Sequence, residues 1–471
     1  MLRSTTLKAV VVSSVLSVTV GLTLGAAPAL AQSETTATAA ASADSGSARV
    51  AISGKLRVET QYLLAQACVA AMDRTPETLE AMEDTRAIIE AKIIALREGS
   101  RTLGISGAET NGRVLRALEE VAKAWAPVSD GIKALSLGMD PTEVLARMVA
   151  LDDGLDQKVE SMAATLAGVY SDANTLSMGA VMAIKISVRQ DMLLARIAKH
   201  NCLQKSGFVE ALPHQAKLQE AVALFETSMS ALQNGAPDSG LMAPPTDVLK
   251  SAIDIAAKDW VELRPGITQQ ADLISQPAYA ALTRDLNNVF VLYTLATSSQ
   301  PDFYRIPLET YATTTLARWL NEPQMVISLR DQNSTHTTLD AAQIEAMDQT
   351  WRAERSSGNH QIIAEMMQRP LSRILKAYQD GTGGLVTEVF VMDNKGLNVG
   401  QSEITSDLWQ GDEAKWQETF GEAQGTMHVS EVEFDESTGF YQTQVSMPAI
   451  DPVTGEALGA ITFGVNIAPL L

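Results

Sequence analysis

The sequence contains one short motif twice, and this repeat constrains the fold more than any other feature. Residues 188–202 align without gaps with residues 54–68, and the only two cysteines, Cys68 and Cys202, take the same place in both copies. Further blocks recur in the same order at nearly the same spacing; Trp125, for example, recurs as Trp260. A chain with such a repeat is built from two copies of one structural unit. We call residues 54–68 box 1 and residues 188–202 box 2.

Each unit is predicted to fold as four amphipathic helices. Apolar residues recur at three- and four-residue spacing, which is typical of helices with one buried face. Thr75 followed by Pro76 predicts a helix start, and Gly99 predicts a helix end. Short links between four helices favour an all-α up-and-down bundle. We expect bundles over residues 49–172 and 173–300, with helices near 49–73, 75–99, 111–137, 140–170, 175–205, 213–234, 246–272 and 277–299, and with Trp125 and Trp260 in the cores.

The C-terminal part, residues 301–471, has a different pattern. Helices are expected over 305–330 and 340–378, followed by a glycine-rich break at 381–384. Segments with strand-like composition then alternate with turns that contain Gly, Asp and Pro. This order predicts an α+β domain with a long helix packed on one face of an antiparallel sheet. The expected strands are 386–392, 398–402, 427–434, 441–447 and 457–465.

The first residues predict export from the cytoplasm. Arg3 and Lys8 precede an apolar stretch, and Ala29-Leu30-Ala31 is a cleavage site of the small-residue type. We expect residues 1–31 to be a signal peptide that is cleaved after Ala31, which makes the mature protein periplasmic; an uncleaved membrane anchor is the alternative. Residues 32–48, rich in Ser, Thr and Ala, are expected to be a disordered linker.

Charge and cysteine content limit the partners and the covalent structure. The formal net charge of −20 argues against nucleic acid and anionic lipid as partners, because both would be repelled. Two cysteines in an exported chain predict a disulfide. The sequence leaves three arrangements open: Cys68 bonded to Cys202, each cysteine bonded across a homodimer, or two buried free thiols.

No pattern in the sequence indicates catalysis. There is no nucleophile elbow, no phosphate-binding loop and no zinc-protease motif. The five histidines are scattered without the spacing of metal ligands. We therefore expect a protein that is not an enzyme and that needs no metal or cofactor.

The boxes resemble a conserved segment of the PilJ-type sensor module, the periplasmic four-helix part of type IV pilus chemotaxis receptors, which is related to the sensor bundle of nitrate/nitrite kinases. The resemblance covers about residues 49–300 as two modules. The residues that carry it are Arg189, Gln190, Met192, Leu193, Arg196, Ala198, Lys199 and Cys202 in box 2, and Gly54, Arg57, Gln61 and Cys68 in box 1, where Lys55 replaces an arginine.

This resemblance implies an anion site in the boxes. In the nitrate sensors the arginine just before the methionine of the motif contacts the anion, and Arg57 takes that place in box 1, with Lys55 beside it. Box 2 has Asp191 there, which would repel an anion. Arg189 and Arg196, seven residues apart on one helix face, are further candidate ligands. The alternative is that these basic residues form a solvated or salt-bridged helix face.

Residues 305–468 resemble a single Cache domain, a PAS-like extracytoplasmic sensor, through segments 388–399, 405–416 and 459–465. In such domains the ligand lies over the sheet, under the loop between the second and third strands. Aromatic walls with a few polar groups suit a small-molecule site. The alternative is that the tryptophans close the core and the aspartates cap a short helix. The implied pocket residues are Ser402, Asp407, Trp409, Asp412, Lys415, Trp416 and Tyr441.

Together these patterns predict a soluble periplasmic sensory protein that binds a small molecule: an anion, a carboxylate or an amino acid. Because the sequence ends at Leu471 directly after the predicted sheet, we expect the signal to pass to a separate membrane chemoreceptor or sensor kinase. The alternative is a periplasmic interaction or scaffold protein whose bundles mediate assembly without ligand binding. The departures from the box motif at Tyr62, Val188 and Asp191 favour this alternative.

Overall fold

A computed structural model describes residues 30–100, 103, 105, 107–170, 178–297, 304–357, 361–382, 384–421 and 426–467. Residues 1–29 of the predicted signal peptide lie outside the described residues. The chain divides into two compact units, Met1–Ala40 and Ala41–Leu471, and the cores and sites below belong to the second. None of the helices in the described part of the chain has the length and apolar character that crossing a bilayer requires.

The first repeat forms four helices: α1 (Leu30–Asp73), α2 (Pro76–Glu98), α3 (Gly112–Ser136) and α4 (Pro141–Tyr170). The predicted start of α2 is confirmed, because the Thr75 side chain accepts a hydrogen bond from the Thr78 amide. Gly99 ends α2 at a positive φ of 86°, a conformation that favours glycine. The helix α1 already begins at Leu30 and so includes the segment 32–48 that was expected to be a disordered linker. The alanines in that segment, which are strong helix formers, outweigh its serines and threonines.

The second repeat forms helices α5 (Met178–Ser206), α6 (Ala211–Asn234), α7 (Asp247–Leu263), α8 (Gly266–Gln269) and α9 (Pro277–Thr297). The single helix expected over 246–272 is therefore wrong, since α7 ends at Leu263 and the four-residue α8 follows. Pro265 explains the break, because proline has no amide hydrogen to donate to the carbonyl four residues earlier.

Each repeat has its own hydrophobic core. Buried residues of α1, α2, α3 and α4 form one cluster that contains Trp125, and buried residues of α5, α6, α7 and α9 form a second that contains Trp260. The ring of Trp260 lies 4.4 Å from that of Phe225, between centroids. The prediction that both tryptophans are core residues is confirmed. The two repeats thus have distinct clusters, although Ala65 of α1 belongs to the second one.

The C-terminal region begins with helices α10 (Arg305–Thr314), α11 (Pro323–Thr335), α12 (Ala341–Ser357), α13 (Gln361–Gln368) and α14 (Pro370–Asp380), with a 3-10 helix at Leu316–Asn321. Two longer helices were expected, and both are interrupted. Pro323 and Pro370 each lie in the first turn of a new helix, the position at which the missing amide hydrogen is not needed.

Six antiparallel strands follow: β1 (Val386–Met392), β2 (Asn398–Gln401), β3 (His428–Val429), β4 (Glu433–Phe434), β5 (Tyr441–Ile450) and β6 (Ala457–Val465). The order in the sheet is β2-β1-β6-β5-β3, with β4 paired to β5. The prediction of an antiparallel C-terminal sheet is confirmed, although the strand expected at 427–434 is two short strands. The central register pairs Val389 with Phe463 and Phe463 with Val445.

The two faces of this sheet are covered differently. Val389, Val445 and Phe463 point into a core that also contains residues of α10, α11 and α14. Several helices, and not one long helix, therefore pack on this face. The opposite face carries Phe390 and is covered by the helical segments α15 (Ala414–Trp416) and Gln417–Gly421. Side chains alternate between faces along a strand, so each strand contributes to both layers.

Candidate functional site

The two boxes lie side by side and parallel in the structure. Lys199 donates a hydrogen bond to the Gln61 side chain, and the Arg57 guanidinium lies 3.6 Å from the Met192 sulfur. These contacts join residues that are 138 and 135 positions apart, close to the 134 that separate the cysteines. A nearly constant separation means that α1 and α5 run in the same direction with the boxes in register.

A disulfide lies at one end of this helix pair. Cys68 and Cys202 are bonded, with their Cα atoms 6.1 Å apart, a normal spacing for a disulfide. Both residues are fully buried with Val69 and Leu203 in a small apolar cluster. Of the three arrangements that the sequence left open, the structure has the bond within one chain. It covalently joins the two repeats.

The basic residues of the boxes form a ladder of ion pairs with α4. Arg57 pairs with Glu160 at 3.0 Å, Arg196 pairs with Asp156, and Lys199 pairs with Asp152 at 2.5 Å. The three acidic residues are four positions apart, so they lie on one face of α4. Sequence analysis missed them, although their four-residue spacing was a detectable signal.

Lys199 holds the most buried of these pairs. Its side chain is 3% exposed, and Gln61 supplies a second oxygen. Burial lowers the pKa of Lys199, and Asp152 opposes that shift. A buried ammonium is tolerated only when oxygens replace its water shell. Lys199 therefore serves to hold α1, α4 and α5 together.

The predicted anion ligands are not gathered at one point. Arg57 and Arg196 are engaged by α4, as above. Arg189 is exposed on α5 and has no hydrogen-bond or ion-pair partner among the described residues. Lys55 of α1 has no ion pair with α4 among the described residues. Most of the basic residues thus follow the alternative of a salt-bridged face.

Lys55 of α1 and Asp191 of α5 are neighbours in the helix pair and form a different kind of group. They interact electrostatically, yet neither has an ion-pair partner among the described residues. Burial lowers the pKa of Lys55, and neighbouring Lys92 lowers it further, while Glu59 and Asp191 raise it. Burial raises the pKa of the Asp191 carboxyl to about 7, against the attraction of Lys55. We call Lys55, Glu59, Lys92 and Asp191 the box cluster.

The box cluster contains buried polar atoms without partners. One oxygen of Asp191 and one of Glu59 have no hydrogen bond within the described part of the chain. Glu59 uses its other oxygen to pair with Lys92. Beside Asp191 lies Tyr279, whose ring stacks on Tyr62 with centroids 6.1 Å apart. Native proteins rarely leave buried polar atoms unpaired, so such atoms indicate water or a ligand.

The residues predicted for the Cache-like pocket are dispersed. Lys415 lies over the Phe390 ring at 5.2 Å, and Trp416 donates to the Asp393 carbonyl at 3.0 Å, so these two lie over the sheet. The remaining five are elsewhere: Ser402 accepts from the Val389 amide, Asp407 pairs with Arg352, Trp409 donates to the Lys395 carbonyl, Asp412 is exposed, and Tyr441 packs on Phe434.

A buried acid on this sheet face escaped the sequence analysis. Glu388 accepts hydrogen bonds from Gln442 at 2.8 Å and Gln444 at 3.1 Å. Burial, with repulsion from Asp435, raises the pKa of Glu388 to about 8, and Lys415 opposes the shift. The alternating glutamines of β5 were a signal, since they mark a polar stripe on one face of a strand.

Tyr441 contributes to a cleft between the second helical repeat and the sheet. The cleft has a volume of about 220 Å³, and its lining includes Ile255 of α7, Arg284 and Asn288 of α9, and Phe434 of β4. Asn288 accepts from the Tyr441 amide at 2.9 Å, which joins the helices to the β-hairpin. Tyr441 is the one predicted site residue among the described residues that line this cleft. No cluster in the described part of the chain has three or more side chains suited to a metal ion.

Comparison with known families finds a match to the second repeat. Residues 173–287 match the PilJ family, described as the N-terminal domain of type IV pili methyl-accepting chemotaxis transducers. The match includes box 2, α6 and α7, and it ends within α9. No curated protein and no solved structure gives a significant match to the chain. The family match supports a role in signalling.

Proposed function

We propose that the protein is a periplasmic sensory protein with two PilJ-type four-helix bundles, residues 49–172 and 173–300, and a Cache-like domain over residues 301–471. The PilJ match in the second repeat supports this, and the first repeat shares its box, its helix order and its separate core. The antiparallel sheet with helical segments on both faces supports the C-terminal assignment.

The observation that carries the sensory proposal is the in-register pairing of the boxes. It places Lys55 and Asp191 on facing helices with buried polar atoms that lack partners. A small polar molecule between α1 and α5 would satisfy these atoms and would contact both repeats at once. A ligand that contacts two units can change how they pack, which is the requirement for a signal.

Isothermal titration and thermal-shift assays on the mature protein test this proposal. The panel contains nitrate, nitrite, small carboxylates and amino acids. We expect at least one compound to bind with 1:1 stoichiometry and to raise the melting temperature, because a ligand that binds only the folded state stabilises it by about 2.7 kcal/mol at 100 times Kd. Absence of heat and of any thermal shift with every compound would contradict ligand binding.

We propose that the signal passes to a membrane chemoreceptor or sensor kinase, in keeping with the transducer family matched by the second repeat. Crosslinking in cells, with and without the bound compound, tests this step. We expect one membrane receptor to be captured in a ligand-dependent manner. Capture that does not depend on the ligand would argue for constitutive assembly.

A scaffold function is the second candidate, and the ion-pair ladder favours it. Arg57, Arg196 and Lys199 are all neutralised by carboxylates of α4 and not left to meet a ligand. A scaffold would retain a stoichiometric partner when Lys55 is replaced by Met and Asp191 by Asn. Loss of that partner in either variant would argue against a purely structural role.

A further inference from the structure

We propose that the box cluster binds a zwitterion, a small molecule with one ammonium and one carboxylate, such as a free amino acid. This inference rests on the proposed sensory function and specifies its ligand class. The Lys55 ammonium would receive the ligand carboxylate, and the Asp191 carboxylate would receive the ligand ammonium.

The first support is that Lys55 and Asp191 are opposite charges that do not satisfy each other. They come from two different helices, α1 and α5, whose relative position is fixed by the disulfide and by the Lys199–Gln61 hydrogen bond. They attract each other, but no direct ion pair forms among the described residues. Two fixed, opposite and unpaired charges are complementary to a ligand that carries both charges.

The second support is the state of these groups in the protein alone. Burial lowers the pKa of Lys55 and raises that of Asp191 to about 7, so the surroundings disfavour both charged forms. A buried oxygen of Asp191 is left without a hydrogen bond. A ligand with complementary ends would pair both groups, whereas leaving a buried charge unpaired is strongly unfavourable.

Ligands with a single charge fit less well. A simple anion next to Lys55 would also meet the negative charge of Asp191, while Glu59 is paired with Lys92. A simple cation next to Asp191 would meet Lys55, with Lys92 behind it. Like charges repel, and solvent screens them only in part in this half-buried cluster. Only a molecule with both charges gains at both ends.

The neighbouring aromatic pair offers an apolar contact surface beside Asp191. Tyr279 is within electrostatic range of Asp191, and its ring stacks on that of Tyr62. The apolar part of a ligand whose ammonium is held by Asp191 would therefore contact these rings. Aromatic surface beside a few fixed polar groups is typical of small-molecule sites.

The test compares each ligand with analogues that lack one charge. The mature protein with its disulfide intact is screened by thermal shift against the twenty standard amino acids and glycine betaine. Titration calorimetry then compares L-leucine, or the best binder found, with its analogue without the amine (4-methylpentanoate for leucine) and its analogue without the carboxylate (3-methylbutylamine). We expect both analogues to bind at least roughly tenfold more weakly, because each loses a charge-assisted hydrogen bond.

Variants locate the two ends of the ligand. In Asp191→Asn, the ratio of the affinity for the amino acid to that for its amine-free analogue should fall toward one. In Lys55→Met, the affinity for both compounds should fall. Lys185→Met is the matched control, because Lys185 is an exposed lysine on α5 outside the box cluster, and it should leave both affinities unchanged. Circular dichroism and thiol titration verify that each variant is folded and disulfide-bonded.

The possible results separate this inference from the proposed function. If nitrate or a plain carboxylate binds the wild-type protein and binds more tightly to Asp191→Asn, the inference of a zwitterionic ligand is wrong and the sensory function stands. If an amino acid binds but neither Asp191→Asn nor Lys55→Met changes its affinity, the box cluster is not the site. If no compound of either panel binds, both the inference and the ligand-binding function are overturned.

Discussion

Removal of the Cys68–Cys202 disulfide should destabilise the protein more than any single change to a surface contact. The bond joins positions 134 residues apart, so it closes a long loop that contains α2, α3, α4 and most of α5. A crosslink of this kind restricts the unfolded chain, and the effect grows with loop length. The chain-entropy relation gives about 5 kcal/mol at 25 °C for a loop of this size.

The location of the bond determines what reduction should affect. Each repeat keeps its own hydrophobic core without the disulfide, since the two clusters are separate. The contact between α1 and α5 should weaken most, because the cysteines lie at one end of it. We therefore expect secondary structure to persist after reduction while the unfolding midpoint falls.

The assay is urea unfolding followed by circular dichroism, with the oxidised wild type, the reduced wild type and the double variant Cys68→Ala/Cys202→Ala. The last two should unfold at nearly the same urea concentration, well below the first. That agreement would assign the loss to the crosslink, since reduction retains the buried sulfur atoms and the double variant does not.

Two results would refute the reasoning. Two free thiols per denatured, unreduced chain would show that the bond is absent, and covalent dimers on a non-reducing gel would show that the cysteines pair between chains. If the intrachain bond is present and the midpoint is the same with and without it, the loop-closure argument itself fails.

Three further predictions concern buried groups and backbone geometry. Lys199→Met should lower the free energy of unfolding, measured with urea, by about 3–5 kcal/mol, because it leaves the Asp152 carboxylate buried and unpaired. The double variant Lys199→Met/Asp152→Leu should recover most of that loss. His200 is buried beside His214, and burial lowers its pKa to about 2. The unfolded chain therefore binds a proton at this residue below about pH 6.5 while the folded protein does not, so stability should fall as the pH drops from there toward 2, by at most roughly 1.4 kcal/mol per pH unit. His200→Gln should flatten that slope in unfolding measured at several pH values, and an unchanged slope would assign it to other groups. Gly396→Ala should lower the melting temperature more than Gly384→Ala, because both glycines have a φ of 84° but only at Gly396 would a Cβ lie 2.4 Å from facing backbone; equal losses would mean that φ strain alone is responsible.

Helices and strands were largely predictable because their signals are local. Thr75, Pro76 and Gly99 fix both ends of α2 through backbone hydrogen bonding and φ preference, which need no distant partner. The same local chemistry, given more weight, would have predicted the break of α7 at Pro265. The order of strands in the sheet was not predictable in this way, because β1 lies next to β6 only through contacts between distant parts of the chain.

The candidate site was predictable only in part. The repeated boxes drew attention to Arg57 as the anion ligand and to Lys55 as its helper, but the sequence did not show which of them would be ion-paired. In the structure Arg57 is neutralised by Glu160, a residue 103 positions away, whereas Lys55 remains without an ion-pair partner among the described residues. Whether a basic residue is paired depends on which carboxylate the fold brings near it, and residue type does not contain that information.

The sequence by itself determined that the chain is mostly helical with a C-terminal antiparallel sheet, and it identified the boxes as a repeated motif. These properties follow from hydrophobic periodicity and from turn chemistry, which act over a few residues. Only the tertiary structure decided that the boxes lie parallel and in register, that Cys68 meets Cys202, and that Asp191 is a neighbour of Lys55. Those outcomes depend on the packing of helices more than 100 residues apart in sequence, where burial and charge act through space and not along the chain.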